Sequence, residues 1–114
     1  MRHLFHIVNP LLSSAVFKKG AGNIGPEEFT ALLKQSLDDR EEFIRTSAAI
    51  VAQALIDQAQ GKIDAEDIIT LLNKQKTIAQ IHANSSEIAL RTRIQALTVR
   101  LLDIAIRSFS GVVK

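Results

Sequence analysis

His3 and His6 stand three residues apart, a spacing that puts two imidazoles on one face of a helix. Two histidines with no thiolate or carboxylate beside them fall short of the four ligands of a structural zinc site, so no metal is expected. The stretch GAGNIG at 20–25 has the glycine spacing of the dinucleotide fingerprint. That loop cradles a pyrophosphate only between a strand and a helix, inside a βαβ unit. Here no strand-like segment precedes it, no second strand follows, and the Gly-Lys-Ser/Thr ending of a P-loop is missing. It reads as a flexible linker, and no cofactor is expected. The acidic run DDREE at 38–42 offers paired carboxylates, but acid–base chemistry also needs a cleft and a nucleophile to serve. On a helix such a run is a solvated face. His82 is isolated in a polar stretch with nothing nucleophilic placed beside it by spacing. The expectation is a protein without enzymatic activity.

The basic residues are a separate matter. Arg93, Arg100 and Arg107 recur every seven residues, and with Arg91 and Lys114 they face only one acid, Asp103, in 88–114. Such a seam is a possible polyanion contact, because phosphates supply affinity without sequence reading. There is no aromatic stacking platform and no helix-turn-helix spacing, and the net charge is only +2. The charge is also unevenly placed: residues 26–61 hold seven acids against three bases, whereas 62–114 hold eight bases against five acids. The simpler expectation is that the arginines pair with the acids of the preceding helix, in the same chain or a neighbouring one. Glu41–Arg45, Glu87–Arg91 and Asp103–Arg107 have the spacing of i,i+4 ion pairs.

These residues must be carried by a single modest domain, since the chain has 114 residues. Hydrophobic residues make up 46% and charged residues 23%, a globular rather than a disordered composition. The apolar material is mostly Leu, Ile, Ala and Val, with five Phe and neither Trp nor Tyr, which favours helix. Cysteine is absent, which removes disulfides, thiolate metal sites and thiol catalysis. The longest apolar run, SAAIVAQALI at 47–56, is far short of the roughly 20 residues of a membrane span. In MRHLFHIVNPLLSSA, two histidines and an Asn-Pro interrupt the apolar stretch, which reads against a cleaved signal peptide. The cytoplasm is the expected compartment.

Helix boundaries give the clearest local signals. Asn9-Pro10 opens a short greasy helix containing Leu11, Leu12, Val16 and Phe17, and the glycine-rich linker ends it. Residues 1–25 thus form an N-terminal segment and 26–114 the main helical unit. At NIGPEEF, Pro26 is a first helical residue, and Ile24 and Phe29 have the spacing of a hydrophobic staple. At GKIDAEDI, Asp64 is an N-cap, Ile63 and Ile68 repeat the staple, and Gly61 ends the preceding helix. One long helix over about 26–59 follows, with the apolar ridge Leu33, Leu37, Ile44, Ala48, Val51 and Leu55. Phe29, Leu32, Phe43, Ile50 and Ala54 form a second ridge beside it.

A second helix starts near 65. It is largely polar over 73–87, with Ile78 and Ile81 as its large apolar anchors. Asn84 and Glu87 have capping-box spacing and mark a possible break, against which an uninterrupted helix is the preferred reading. Beyond residue 88 two apolar stripes run side by side. One holds Leu90, Ile94, Leu97, Leu101 and Ile104; the other holds Val99, Leu102, Ile106 and Phe109. A surface helix of a monomer needs one stripe, so two need cover from two directions.

The expected architecture is all-α: a short N-terminal helix and a long antiparallel helical hairpin, assembled into an oligomeric helical bundle. Val99, Leu102, Ile106 and Phe109 are the expected oligomer interface, because the longer stripe suits the intramolecular partner. The expected function is that of a structural assembly, adaptor or scaffold subunit, a homo-oligomer acting through protein–protein interaction. The alternative is a small nucleic-acid-associated regulator that uses Arg93, Arg100 and Arg107. In outline the chain resembles small helical-hairpin subunits of bacterial secretion machines or phage particles. That likeness is architectural, rests on no motif and carries no site residue across.

Overall fold

The structure, a computed structural model, describes residues 26–113. The expected N-terminal helix, GAGNIG, His3 and His6 lie outside the described residues. Four helical stretches follow one another: α1 (Pro26–Leu37), α2 (Glu42–Ala59), α3 (Ala65–Asn84) and α4 (88–113). Within α4, α-helical Ile88–Arg93 leads into a π-helical turn, Ile94–Val99, and α-helix resumes over Arg100–Val113. No strand occurs among the described residues. The all-α class holds.

The hairpin, by contrast, is folded into shorter pieces. The helix expected over 26–59 breaks at 38–41. Asp39 causes the break: its Oδ1 accepts the backbone N–H of Glu41 at 2.8 Å, and its carbonyl accepts from Arg45 Nη1 at 2.9 Å. A short acidic side chain that bonds to nearby backbone competes with the helix ladder. The second expected helix breaks too, at 85–87, so the preferred continuous reading is corrected. There Arg91 donates from Nε to the Ala83 carbonyl at 3.1 Å, and from Nη2 to the carbonyls of Asn84 and Ser86. The Ser85 and Ser86 hydroxyls donate to the carbonyls of Ile81 and His82. Those bonds satisfy the orphan acceptors of a helix end and let the chain reverse. An unbroken helix over 65–110 would run to roughly 69 Å. The longest dimension of the molecule is 38 Å. The likeness to hairpin subunits therefore does not extend to the folded chain.

The turn between α2 and α3 follows expectation. Gly61 adopts φ 78°, the left-handed conformation that glycine reaches without strain. Asp64 caps α3 in a complete capping box: its side chain accepts from Asp67 N–H at 2.8 Å, and Asp67 accepts in return from Asp64 N–H.

One core joins all four helices. The ridge Leu33, Leu37, Ile44, Ala48, Val51 and Leu55 is buried throughout, although a corner separates Leu37 from Ile44. Helix α3 enters the core through Ile68, Leu72, Ala79 and Ala83. Its expected anchors, Ile78 and Ile81, point away from it. The two alanines leave room for the large residues of α4, which packs along α3. Leu101, Leu102, Ile104, Ala105, Ser108 and Phe109 of α4 are all buried, at helical spacing over a single broad face. The two stripes seen in sequence are thus two edges of one face, covered by α3, α1 and α2 of the same chain. The corner at 38–41 makes this possible, because it brings α1 and α2 to α4 as separate walls.

Candidate interaction surface

The acidic run and the arginine seam meet at the α1–α2 corner. Arg93 Nη2 lies 2.5 Å from Asp39 Oδ1, the same oxygen that accepts from Glu41, and the Asp39 side chain is only 8% exposed. Arg100 pairs with Glu28 across α4 and α1, on a more exposed site. Lys76 of α3 pairs with Asp103 at 2.5 Å. The pairings expected at i,i+4 are replaced: Arg45 bonds to the Asp39 carbonyl in the corner before α2, Arg91 reaches back to the Ala83 carbonyl at the end of α3, and Asp103 pairs with Lys76 of α3. Of the three seam arginines, Arg93 and Arg100 are held by acids of the same chain, and Arg107 is exposed. A shallow groove beside the corner is lined by Lys34, Gln35, Asp38, Asp39, Arg40 and Arg93. Its charges are of both signs, with two of them already joined, so it presents no field suited to one kind of ligand.

The chemistry-bearing residues do not converge. His82 is exposed and lies flat on Phe43, with ring centroids 4.0 Å apart and planes 2° from parallel, tying α3 to α2. Ser47 interrupts an apolar ridge in sequence; its buried hydroxyl accepts from Gln75 Nε2 of α3 at 3.1 Å. The buried hydroxyls of Ser36 and Thr98 have no hydrogen-bond partner. Thr98 sits in the π-helical turn. Among the described residues, no group of three or more His, Asp or Glu side chains is arranged to hold a metal ion, and no helix is long and apolar enough to cross a membrane.

The residues expected at an oligomer interface are divided. Leu102 and Phe109 lie in the chain's own core, whereas Val99 and Ile106 are half-buried at its edge. Among the described residues, the large apolar side chains left in solvent are elsewhere: Leu71 at 40% exposure, Ile78 at 41%, Ile81 at 61% and Ile88 at 77%. The first three share one face of α3, and Ile88 stands just beyond the corner that ends it. Sequence reasoning singled out Ile78 and Ile81 but assigned them inward. The available signal was the steps of seven and three from Leu71 to Ile78 to Ile81, which set a stripe apart from Ile68, Leu72, Ala79 and Ala83. No protein-family model matches the chain, and neither a curated protein nor a solved structure does.

Proposed function

We propose that this protein is a non-enzymatic assembly or adaptor subunit that works by docking a helix face onto protein. One observation carries the reading: the row Leu71, Ile78 and Ile81, extended by Ile88, stays in solvent, whereas the other large aliphatic residues among those described are buried or partly buried. Contiguous exposed apolar side chains mark interaction surfaces more often than scattered ones do. The self-association first expected for the C-terminal helix is better supported on α3, because Leu102 and Phe109 are used inside the chain.

Light scattering on the purified full-length protein, with and without duplex DNA and at low and high salt, tests this. The expected result is a species larger than a monomer that ignores DNA and persists at high salt, as an apolar interface should. A monomer that gains mass only when DNA is added, and loses it as salt rises, would replace this reading with the nucleic-acid alternative.

A further inference from the structure

The exposed row Leu71, Ile78 and Ile81 is walled on one side by α2, which reaches α3 through Phe43 against His82 and through Ser47 against Gln75. Carboxylates stand at both ends of it. At the α2–α3 turn, Asp57, Asp64, Glu66 and Asp67 outnumber Lys62. At the α3–α4 corner, Glu87 stands beside Arg91, whose guanidinium is engaged by backbone carbonyls. The ion pairs between helices use Glu28, Asp39 and Asp103, so none of these end carboxylates is paired with a cation among the described residues. What fits such a surface is a stretch of chain that is apolar in its middle and basic at its ends.

Residues 1–25, outside the described part of the chain, have that pattern. Nine of the fourteen residues in LFHIVNPLLSSAVF at 4–17 are apolar, Arg2 precedes them, Lys18 and Lys19 follow, and 1–25 contains no acid. We infer that residues 4–17 dock on the α3 row of their own chain, with Lys18 and Lys19 toward the acids of the α2–α3 turn and Arg2 toward Glu87. This rests on the reading of the row as a docking surface and adds its regulation: a protein partner has to displace the chain's own segment.

The point of attachment allows it. Glu28, in the first turn of α1, pairs with Arg100, and Asp103, one turn further along α4, pairs with Lys76. Pro26 therefore lies level with the middle of α3. Helix α1 packs on α2, and α2 packs on α3. Crossing α2 is two interhelical spacings, roughly 16–20 Å. The eight residues 18–25 extend to about 26 Å. A tethered segment also acts at a high effective concentration, so a modest contact suffices to compete with a free partner.

The absence of cysteine from the chain gives a direct test. Full-length Ile81→Cys is labelled with a thiol reagent at a series of protein concentrations, with the native segment and with Leu11→Asp and Leu12→Asp together. Full-length Gln95→Cys, exposed on α4, is the reference in both backgrounds. The expected result is labelling at position 81 that is at least severalfold faster in the doubly substituted chain and independent of concentration, with labelling at position 95 and the helical spectrum unchanged. Lys18→Glu with Lys19→Glu, which leaves the apolar residues in place, should give a smaller rise in the same direction. Light scattering on the Leu11→Asp, Leu12→Asp chain without the cysteine should show assembly beginning at lower concentration than in the wild type. Equal rates at position 81 overturn the inference, whether or not the protein assembles. Protection that appears only as concentration rises means that another copy covers the row, which overturns the inference and leaves the assembly reading in place. Faster labelling in a protein that stays monomeric at every concentration supports the docking of the segment and overturns the assembly reading alone.

Discussion

Asp39 does three jobs with one residue. Its Oδ1 takes the Glu41 N–H that the start of α2 leaves unpaired, the same oxygen holds Arg93, and its carbonyl holds Arg45. Removing a side-chain acceptor at a helix start costs about 0.5–2 kcal/mol, and hydrogen bonds to charged groups add to that. Arg93 is one-third exposed and can return to water, which limits the second contribution. Asp39→Ala is therefore expected to lower stability by about 2 kcal/mol in urea unfolding followed by far-ultraviolet circular dichroism. Asp39→Asn keeps an oxygen for Glu41 and gives up only the charge, so it should cost roughly half as much. Equal losses for the two variants would show that the ion pair, and not the backbone bond, sets the corner. Little of this was legible beforehand. DDREE reads as a solvated helix face because each acid alone is ordinary on a helix surface, and only the three-way convergence on Asp39 turns the run into a corner. Asp39 and Glu42 do have capping-box spacing, the same signal that flagged Asn84 and Glu87.

At the scale of elements, the π-helical turn Ile94–Val99 shows how α4 keeps its phase. An i→i+5 turn inside an α-helix amounts to one residue more than the flanking turns need. Here it lets Ile94 and Leu97 on one side, and the face Leu101 to Phe109 on the other, both point inward. Deleting the exposed Gln95 should relax this turn to ordinary α-helix and leave both flanks in phase. The expected outcome is a folded protein whose melting temperature stays within several degrees of wild type. Deleting exposed Lys74 from α3 is the contrasting case, because Ala79 and Ala83 would rotate by about 100° relative to Ile68 and Leu72. That variant should lose about 3 kcal/mol or more, as when a large buried side chain is removed. If both deletions unfold the protein alike, the turn is not an insertion. Elements that rest on local chemistry were readable in sequence: Pro26 and Asp64 at helix starts, Gly61 at a turn. The corner at 85–87 was only half readable. Asn84 and Glu87 flagged it, but what holds it open is Arg91 reaching back to three carbonyls, a contact no spacing rule reports.

For the molecule as a whole, the distribution of charge carries more meaning than the net value of +2. The uneven placement of acids and bases along the chain resolves on folding into pairs between helices: Glu28 with Arg100, Asp39 with Arg93, Asp103 with Lys76. That internal pairing was legible from the charge blocks, although the individual partners were not, since they depend on the corner that brings α1 to α4. Arginines that already face carboxylates are poorly placed to displace the counterions condensed on a nucleic acid backbone. The wild type should therefore show no measurable affinity for duplex DNA at physiological salt by fluorescence anisotropy. Glu28→Gln releases Arg100 beside exposed Arg107 without touching the core, because the Glu28–Arg100 pair lies at the surface. If those arginines are silent only because they are paired, this variant should bind DNA weakly at low salt. Each released arginine that reaches a phosphate should steepen the fall of log affinity with log salt by about 0.9. Micromolar binding by the wild type itself, with a steep salt dependence unchanged in Glu28→Gln, would mean that the seam acts on polyanions in spite of its partners. The arginines of α4, rather than the apolar row on α3, would then be the working surface of the protein.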